Sequence, residues 1–492
     1  MNSRIKLSRV ATTALLLATI ASASDDVPKQ ALKGDYQLVY NQTAQTVDNF
    51  TDMLKNGVFY GRLRSNTFMY NWEKESAKQE NHYASGLGGS LVYQSGVYHN
   101  FDFRGAIYYS HGFTNMATDK ASLIKAGSDV FNRFDYSNIN SQDLGTLGQA
   151  YIRYSGLKNS DITVGRQLVE TFYTASNDTK MVPNSFDAIV LSTNAVAQTS
   201  IKLGYLASEK LRGHTDSHSV LMYGDASSSS SLNPSWDEND DTAMHKGLTY
   251  TRLKTAGIST EAPLIVGDVH NKSVENLLLD ASFYTVPELL SQVMAEVNYK
   301  INMGAFSLAS GIRYIKQFDD GAGKVGGAAY SGTLAGKTGA SGGYKEANSL
   351  DSQMVATRLV GGYGNYNLNL GYSQVFDEAD LVAPWRGFPT AGYTRSMARY
   401  NWVANTKSYR AELMINNNKT GVYKDVMMQL SALHTDADEA KGQFDENYYY
   451  AGFTQNLPMM PDLQWRFRIG YQDTKKVDAS GTDSRFELNY LF

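Results

Sequence analysis

The 492-residue chain contains no cysteine. That excludes a disulfide scaffold and a thiolate metal site. It does not argue for the cytoplasm, because exported proteins also avoid stray thiols. Proline is scarce at 9 residues. Beyond the N-terminal segment, no stretch is apolar enough for a membrane helix, which takes about 20 residues. Strong charge is lacking too: the formal net charge is -4. Mean hydropathy is -0.37, so bulk hydropathy reads as soluble. Tyrosine (33) and glycine (42) are plentiful.

The N-terminal segment has Arg4, Lys6 and Arg9, then the apolar run Val10 to Ile20, then Ala21-Ser22-Ala23. A positive n-region, a short apolar core and a small-residue A-x-A site make a secretory signal peptide. The apolar run is too short to anchor in a bilayer. Residues 1–23 are expected to be cleaved after Ala23, making the mature chain more acidic by three charges. Two classes remain: a soluble exported protein, or a β-barrel whose lipid face is hidden from hydropathy by alternation.

Alternation with a period of two recurs along most of the chain. "LQWRFRIGYQ" sets Leu463, Trp465, Phe467, Ile469 and Tyr471 against Gln464, Arg466, Arg468 and Gln472. "FDFRGAIYYS", "VMAEVNYKI", "FSLASGIRY", "YNLNLGYS" and "YRAELMIN" repeat the pattern. A soluble sandwich would alternate in the same way. Aromatics near strand ends favour the membrane, where they form girdles. So do connections that alternate between short (Asn302-Met303-Gly304, Gly364-Asn365) and long (210–245, 317–351, 377–395). The Ser- and Gly-rich long segments are too poor in apolar residues to build a core. Nineteen strand candidates emerge, of which Met397–Ala404 and Lys246–Leu253 are the weakest. Single-chain barrels have even strand numbers. The expectation is all-β: an antiparallel up-and-down transmembrane β-barrel of 18 strands over residues 57–492, with 16 as the alternative. Residues 24–56 form an N-terminal segment on the periplasmic side or inside the lumen, and long external loops fold partly into the lumen.

With the apolar face in lipid, the polar face lines the lumen. By strand parity it carries Arg62, Arg64, Arg104, Lys202, Lys300, Arg313, Arg358, Arg410, Arg466 and Arg468. The acids on the same faces are Asp102, Glu296, Glu412 and Glu487. A basic wall in a net acidic chain favours anionic solutes, and a planar guanidinium binds carboxylates bidentately. The alternative is that these arginines pair with nearby acids and stiffen the wall. Asp119, Asp129 and Asp135 lie in the third-loop region and oppose an anion preference.

Enzymatic chemistry finds little support. His218-Ser219 lies in a polar loop with no hydrolase motif, and His214 and His218 in "HTDSH" make a poor metal pair. "DENDD" (237–241) lacks the spaced ligands of a calcium loop. The Gly-rich 321–343 stretch has no phosphate-loop signature. No catalytic residue, cofactor, metal or nucleic-acid partner is expected. The expected partners are small-molecule solutes and membrane lipids.

The chain ends on "RFELNYLF", with Phe486, Leu488, Tyr490 and Phe492 on one face. Chain ends usually fray. An ordered, alternating end suits a strand that closes a barrel against the first.

Three stretches carry a resemblance. Residues 50–72 ("FTDMLKNGVFYGRLRSNTFMYNW") and 86–96 ("GLGGSLVYQSG") are similar to the first two strands of the OprD-type substrate-specific porins. Residues 162–189 resemble that family's most specific motif, with Asn177, Asp178, Pro183 and Phe186 in place. Thr179-Lys180 stands where the family usually has Gly-Arg. The resemblance implies an 18-stranded channel in the outer membrane, narrowed by inward loops, with a row of wall arginines. It implies passive transport of small carboxylates, including amino acids and aromatic acids. It also implies a monomer or loose homotrimer among outer-membrane lipids, with Phe492 part of the signal read by the barrel-assembly machinery.

Overall fold

The computed structural model describes residues 29–221, 244–387, 389–390, 392–397, 399–416 and 426–492. The signal-peptide assignment and the "DENDD" segment lie outside these residues. A two-stranded hairpin comes first, β1 (Gln30–Leu32) and β2 (Leu38–Tyr40), followed by the short helix α1 (Phe50–Lys55). The barrel then begins with β3 (Val58–Trp72), β4 (His82–Gln94), β5 (Phe101–Thr114), β6 (Asp143–Leu157), β7 (Ser160–Gln167), β8 (Ser185–Thr193) and β9 (Thr199–Lys210). It continues with β10 (Leu264–Asn271), β11 (Leu277–Val286), β12 (Leu290–Met303), β13 (Phe306–Asp319), β14 (Ser352–Tyr363) and β15 (Tyr366–Val375). The circuit is completed by β16 (Thr406–Ile415), β17 (Val426–Asp436), β18 (Glu446–Leu457), β19 (Met460–Thr474) and β20 (Gly481–Leu491).

Strands β3 to β20 form one closed barrel in sequence order, so the strand count is 18. The seam pairs β20 antiparallel with β3, from Gly481↔Trp72 to Leu491↔Arg62. Beyond the last strand, Phe492 and Gly61 exchange both backbone hydrogen bonds, at 2.9 and 3.1 Å. Closure leaves no strand edge unpaired, as a bilayer requires.

The period-two pattern sorts as its chemistry demands. Outward positions such as Leu203, Tyr205, Val293, Val297, Ile312, Leu370, Ile469, Phe486 and Leu488 are exposed apolar side chains. Phe306, Tyr363 and Tyr366 crowd one rim, while Tyr83, Phe113, Phe283 and Phe318 lie toward the other. The connections also segregate. Those at 158–159, 304–305, 364–365 and 458–459 share one end of the barrel; those at 115–142, 211–263, 320–351 and 376–405 share the other.

The two weakest strand candidates are not strands. Lys246–Leu253 runs into helix α3 (Tyr250–Thr255), preceded by the helix α2 (Arg133–Ile139) of an earlier loop. The 397–404 segment is loop with a single bridge, Ser396↔Arg399. The loop chemistry departs from expectation more sharply. In the Gly-rich 321–344 stretch, Ala322, Val325, Ala328, Leu334 and Tyr344 are buried in the largest apolar cluster. Its helix α4 (Ala322–Gly326) packs backbone to backbone: a Cβ on Gly247 would lie 2.2 Å from the Gly326 carbonyl oxygen. Small residues build this core by close approach rather than by large side chains. Among the described residues the lumen holds two large apolar plugs, beside a small cluster of Leu433, Tyr448 and Tyr450 with Met397. One joins Tyr284, Ile315 and Met354 of the wall to Leu253, Leu381 and Trp385 of the loops. The other joins Tyr60, Phe68 and Tyr108 to Val130, Phe131 and Met181 of the loops and Leu38 of the hairpin.

Candidate functional site

The thirteen charged wall residues singled out above, and Glu487, sit at strand positions opposite in parity to the exposed apolar ones, but they differ in what they touch. Arg62 and Arg64 on β3 are 0 % and 2 % exposed. They are covered by the loop 168–184, whose Asp178 carboxylate pairs with both, Arg64 at 2.7 Å. Glu487 on β20 holds Arg64 from the other side at 2.5 Å. Asn177 supports the turn at φ 45, a left-handed conformation that asparagine tolerates. These two arginines thus fasten a loop inside the barrel.

Other wall residues are also engaged. Arg313 donates from Nε to Glu296 at 2.5 Å and from Nη1 to the Thr390 carbonyl at 3.0 Å. It is flanked by the rings of Phe172 and Tyr393 at 4.8 and 4.5 Å. Arg358 stands over the same Tyr393 and 3.7 Å from Glu296. Asp102 pairs with Arg153 at 2.7 Å. Arg104 donates to Gln94 at 2.6 Å and Lys202 to the Glu170 carbonyl at 2.7 Å. Lys300 is exposed near the short-turn rim. Arg410 is paired with its strand neighbour Glu412, which also accepts from Gln429.

Arg466 and Arg468 stand apart. No ion pair engages either one among the described residues. Arg466 Nη1 and Arg468 Nη2 are buried without a hydrogen-bond partner. Arg466 lies 4.2 Å over the ring of Tyr36 in the hairpin. The register sets Arg468 directly against Arg485 on β20. Like charges facing each other across strands repel, and Arg485 is partly neutralised by Asp483 at 2.5 Å.

These residues border a lumen cavity of about 660 Å³. Its wall carries Arg410, Glu412, Arg466, Arg468 and Arg485; its loops add Lys125, Lys180, Arg212, Arg386 and Arg395; Asp35 and Asp129 are the remaining acids. Of the three third-loop aspartates only Asp129 borders this cavity, and it is held by Arg212 at 2.7 Å. Burial would raise its carboxyl, but Arg212, Arg386 and Lys180 outweigh that and hold it well below the usual range. Burial lowers Lys125 to about 8, aided by Arg399. The loop cations have no periodic signature, so strand parity did not reveal them; Arg485 was legible by parity but not counted among the wall cations.

A second cavity of about 370 Å³ has the opposite character. Glu170, Asp268, Asp280 and Glu296 line it with His270 and Arg313. A smaller third one, about 190 Å³, includes Gln37, Arg104, Arg153, Asp161 and Lys202 and lies toward the short turns. His214 and His218 contact each other at 2.9 Å in the loop 211–263. Among the described residues no group of three or more His, Asp or Glu is arranged to hold a metal.

The outer membrane protein OpdK from Pseudomonas aeruginosa matches this architecture with a TM-score of 0.63 at 12 % identity, covering 89 % of this chain and 99 % of OpdK. The chain shares that protein's fold. OccAB3 from Acinetobacter baumannii matches with a TM-score of 0.68 at 14 % identity, over 89 % of this chain and all of the other. A structure of OpdK with vanillate gives 0.61 at 12 % identity, over 89 % and 99 % of the two chains. No protein-family model matches the sequence, and no curated protein does so significantly.

Proposed function

We propose that this protein is a bacterial outer-membrane porin for passive, partly selective diffusion of small hydrophilic solutes bearing carboxylates, such as amino acids and small organic or aromatic acids. The observation that carries the reading is the 660 Å³ cavity within a closed barrel, whose lining sets Arg410, Arg466, Arg468 and Arg485 of the wall and five loop cations against three acids, Asp35, Asp129 and Glu412. An excess of guanidiniums in a confined lumen attracts carboxylates. The fold shared with outer-membrane proteins supports the location, and OpdK was solved with vanillate, an aromatic acid. The wall residues Arg410, Arg466 and Arg468 form the pore lining proper, while Arg62, Arg64, Arg313 and Arg358 hold loops in place. The protein works as a monomer or loose homotrimer and performs no catalysis.

Planar-bilayer recording of the purified protein is expected to give channels with an anion-selective reversal potential in a salt gradient. Liposome swelling should be faster with small carboxylates than with sugars of equal size. Equal swelling with both would favour a general diffusion porin. Absence of channels would favour a surface adhesin or structural barrel.

A further inference from the structure

The N-terminal hairpin belongs to no part of the barrel wall; β1 and β2 form a separate two-stranded sheet. Its tip nevertheless sits in the lumen. Arg62 Nη1 donates to the Tyr36 carbonyl at 3.0 Å, and Tyr36 itself is 8 % exposed beneath Arg466. Tyr40 stacks on Tyr60 of β3 at 5.1 Å. Gly34 and Asp35 border the large basic cavity, whereas Gln37, two residues on, borders the small one toward the short turns. The hairpin tip is therefore the partition between two compartments of one lumen.

The partition is fastened to the loop 168–184. Ser176 Oγ donates to Asp35 Oδ2 at 2.5 Å, and the Asn177 amide donates to the same oxygen at 3.1 Å. Glu170 of that loop accepts from the Ser176 amide at 2.8 Å, so Ser176 draws the Asp35 and Glu170 carboxyls to the same point. Two carboxyls drawn this close stay together most readily while one carries a proton.

We propose that the hairpin Gln30–Tyr40 is a gate across the channel, latched where Asp35 and Ser176 meet the Glu170 carboxyl. The proposal rests on the channel reading for its effect on conduction, but the latch itself does not. Glu170 is the group that titrates: burial, then the charge of Asp35, raises it to about 7. On the β9 side Lys202 touches only the Glu170 carbonyl. Across its cavity Glu170 faces Asp268 and His270 on β10, Asp280 on β11, Glu296 on β12 and Arg313 on β13. Arg313 is committed to Glu296, so the acids prevail on that side. Asp35 shares its own cavity with Lys125, Lys180, Arg212, Arg386, Arg395, Arg410, Arg466, Arg468 and Arg485 and with the acids Asp129 and Glu412. The docked hairpin binds a proton more tightly than the undocked one. Docking is thus fully supported below the ordinary carboxyl range and weakens as pH rises to about 7.

The test uses the absence of native cysteine. Leu38 is 6 % exposed in the docked hairpin, so Leu38→Cys places a single thiol that a reagent reaches only on undocking. Its rate of labelling by a charged thiol reagent is measured at pH 5 and pH 8, alone and with Glu170→Gln. The ratio of the two backgrounds cancels the thiol's own titration. We expect that ratio to change by about tenfold between the two pH values. In bilayers, conductance should rise with pH in the wild type, stay low in Glu170→Gln, and be high and independent of pH when residues 30–40 are deleted. An unchanged labelling ratio overturns the latch. Unaltered conductance in the folded deletion variant overturns the gate. Absence of channels in every variant, with the labelling step intact, overturns the channel reading and the gate while leaving the latch standing.

Discussion

The Asp178 carboxylate, 1 % exposed, receives two guanidiniums that β3 points inward. Their exchange of water for one another is favourable only while all partners are present, because a buried charge left alone is costly. Asp178→Ala is therefore expected to destabilise the folded barrel by about 3–5 kcal/mol, whereas replacing an exposed ion-paired residue such as Lys74 should cost under about 1 kcal/mol. Urea denaturation followed by the loss of heat-modifiable mobility measures both. The residue scale is also where sequence reading was least complete. Parity identified the inward arginines, yet it did not separate Arg62, sealed under a loop, from Arg466, open to the cavity. Partners distant in sequence make that difference: Asp178 lies 116 residues from Arg62.

Among the elements, β20 and β3 bear the particular burden of closing the circuit. The Phe492 ring lies over Gly61, where a Cβ would meet its Cζ at 2.7 Å and the Ser90 carbonyl oxygen at 2.3 Å. Deleting Phe492 removes both terminal backbone hydrogen bonds and this cover. It should cut the yield of assembled barrel severely while leaving conductance of any assembled channel near normal. Gly61→Val should act in the same direction by forcing the seam apart. Quantifying folded protein in membranes alongside single-channel recordings separates assembly from conduction. The strands themselves were legible because alternation is a property of neighbouring residues. The weak Lys246–Leu253 candidate became loop and helix instead, because Leu248 and Leu253 bury in a lumen cluster that local pattern does not reveal.

For the whole molecule, the decisive feature is that charge is divided around the lumen. Basic groups of β16, β19 and β20 face one cavity; acids of β10, β11 and β12 face another. Arg466→Gln with Arg468→Gln removes two unengaged cations from the first. The anion-to-cation permeability ratio from reversal potentials should fall about threefold or more. Arg313→Gln should change that ratio less and lower stability more, since its charge is already matched by Glu296. A ratio that is insensitive to the double substitution would move the selectivity filter to the loop cations.

The sequence by itself determined the class of structure, the closed circuit of strands, and which side chains face outward. These follow from a two-residue period and from the requirement that strand backbone groups find partners. The tertiary structure alone decided what fills the barrel. Loops without periodicity fold inward, small residues allow them to pack backbone to backbone, and the hairpin divides the space that is left. Which arginines remain available to a solute depends on where those segments place their carboxylates. That outcome is set by contacts between residues far apart in the chain, which no local pattern records.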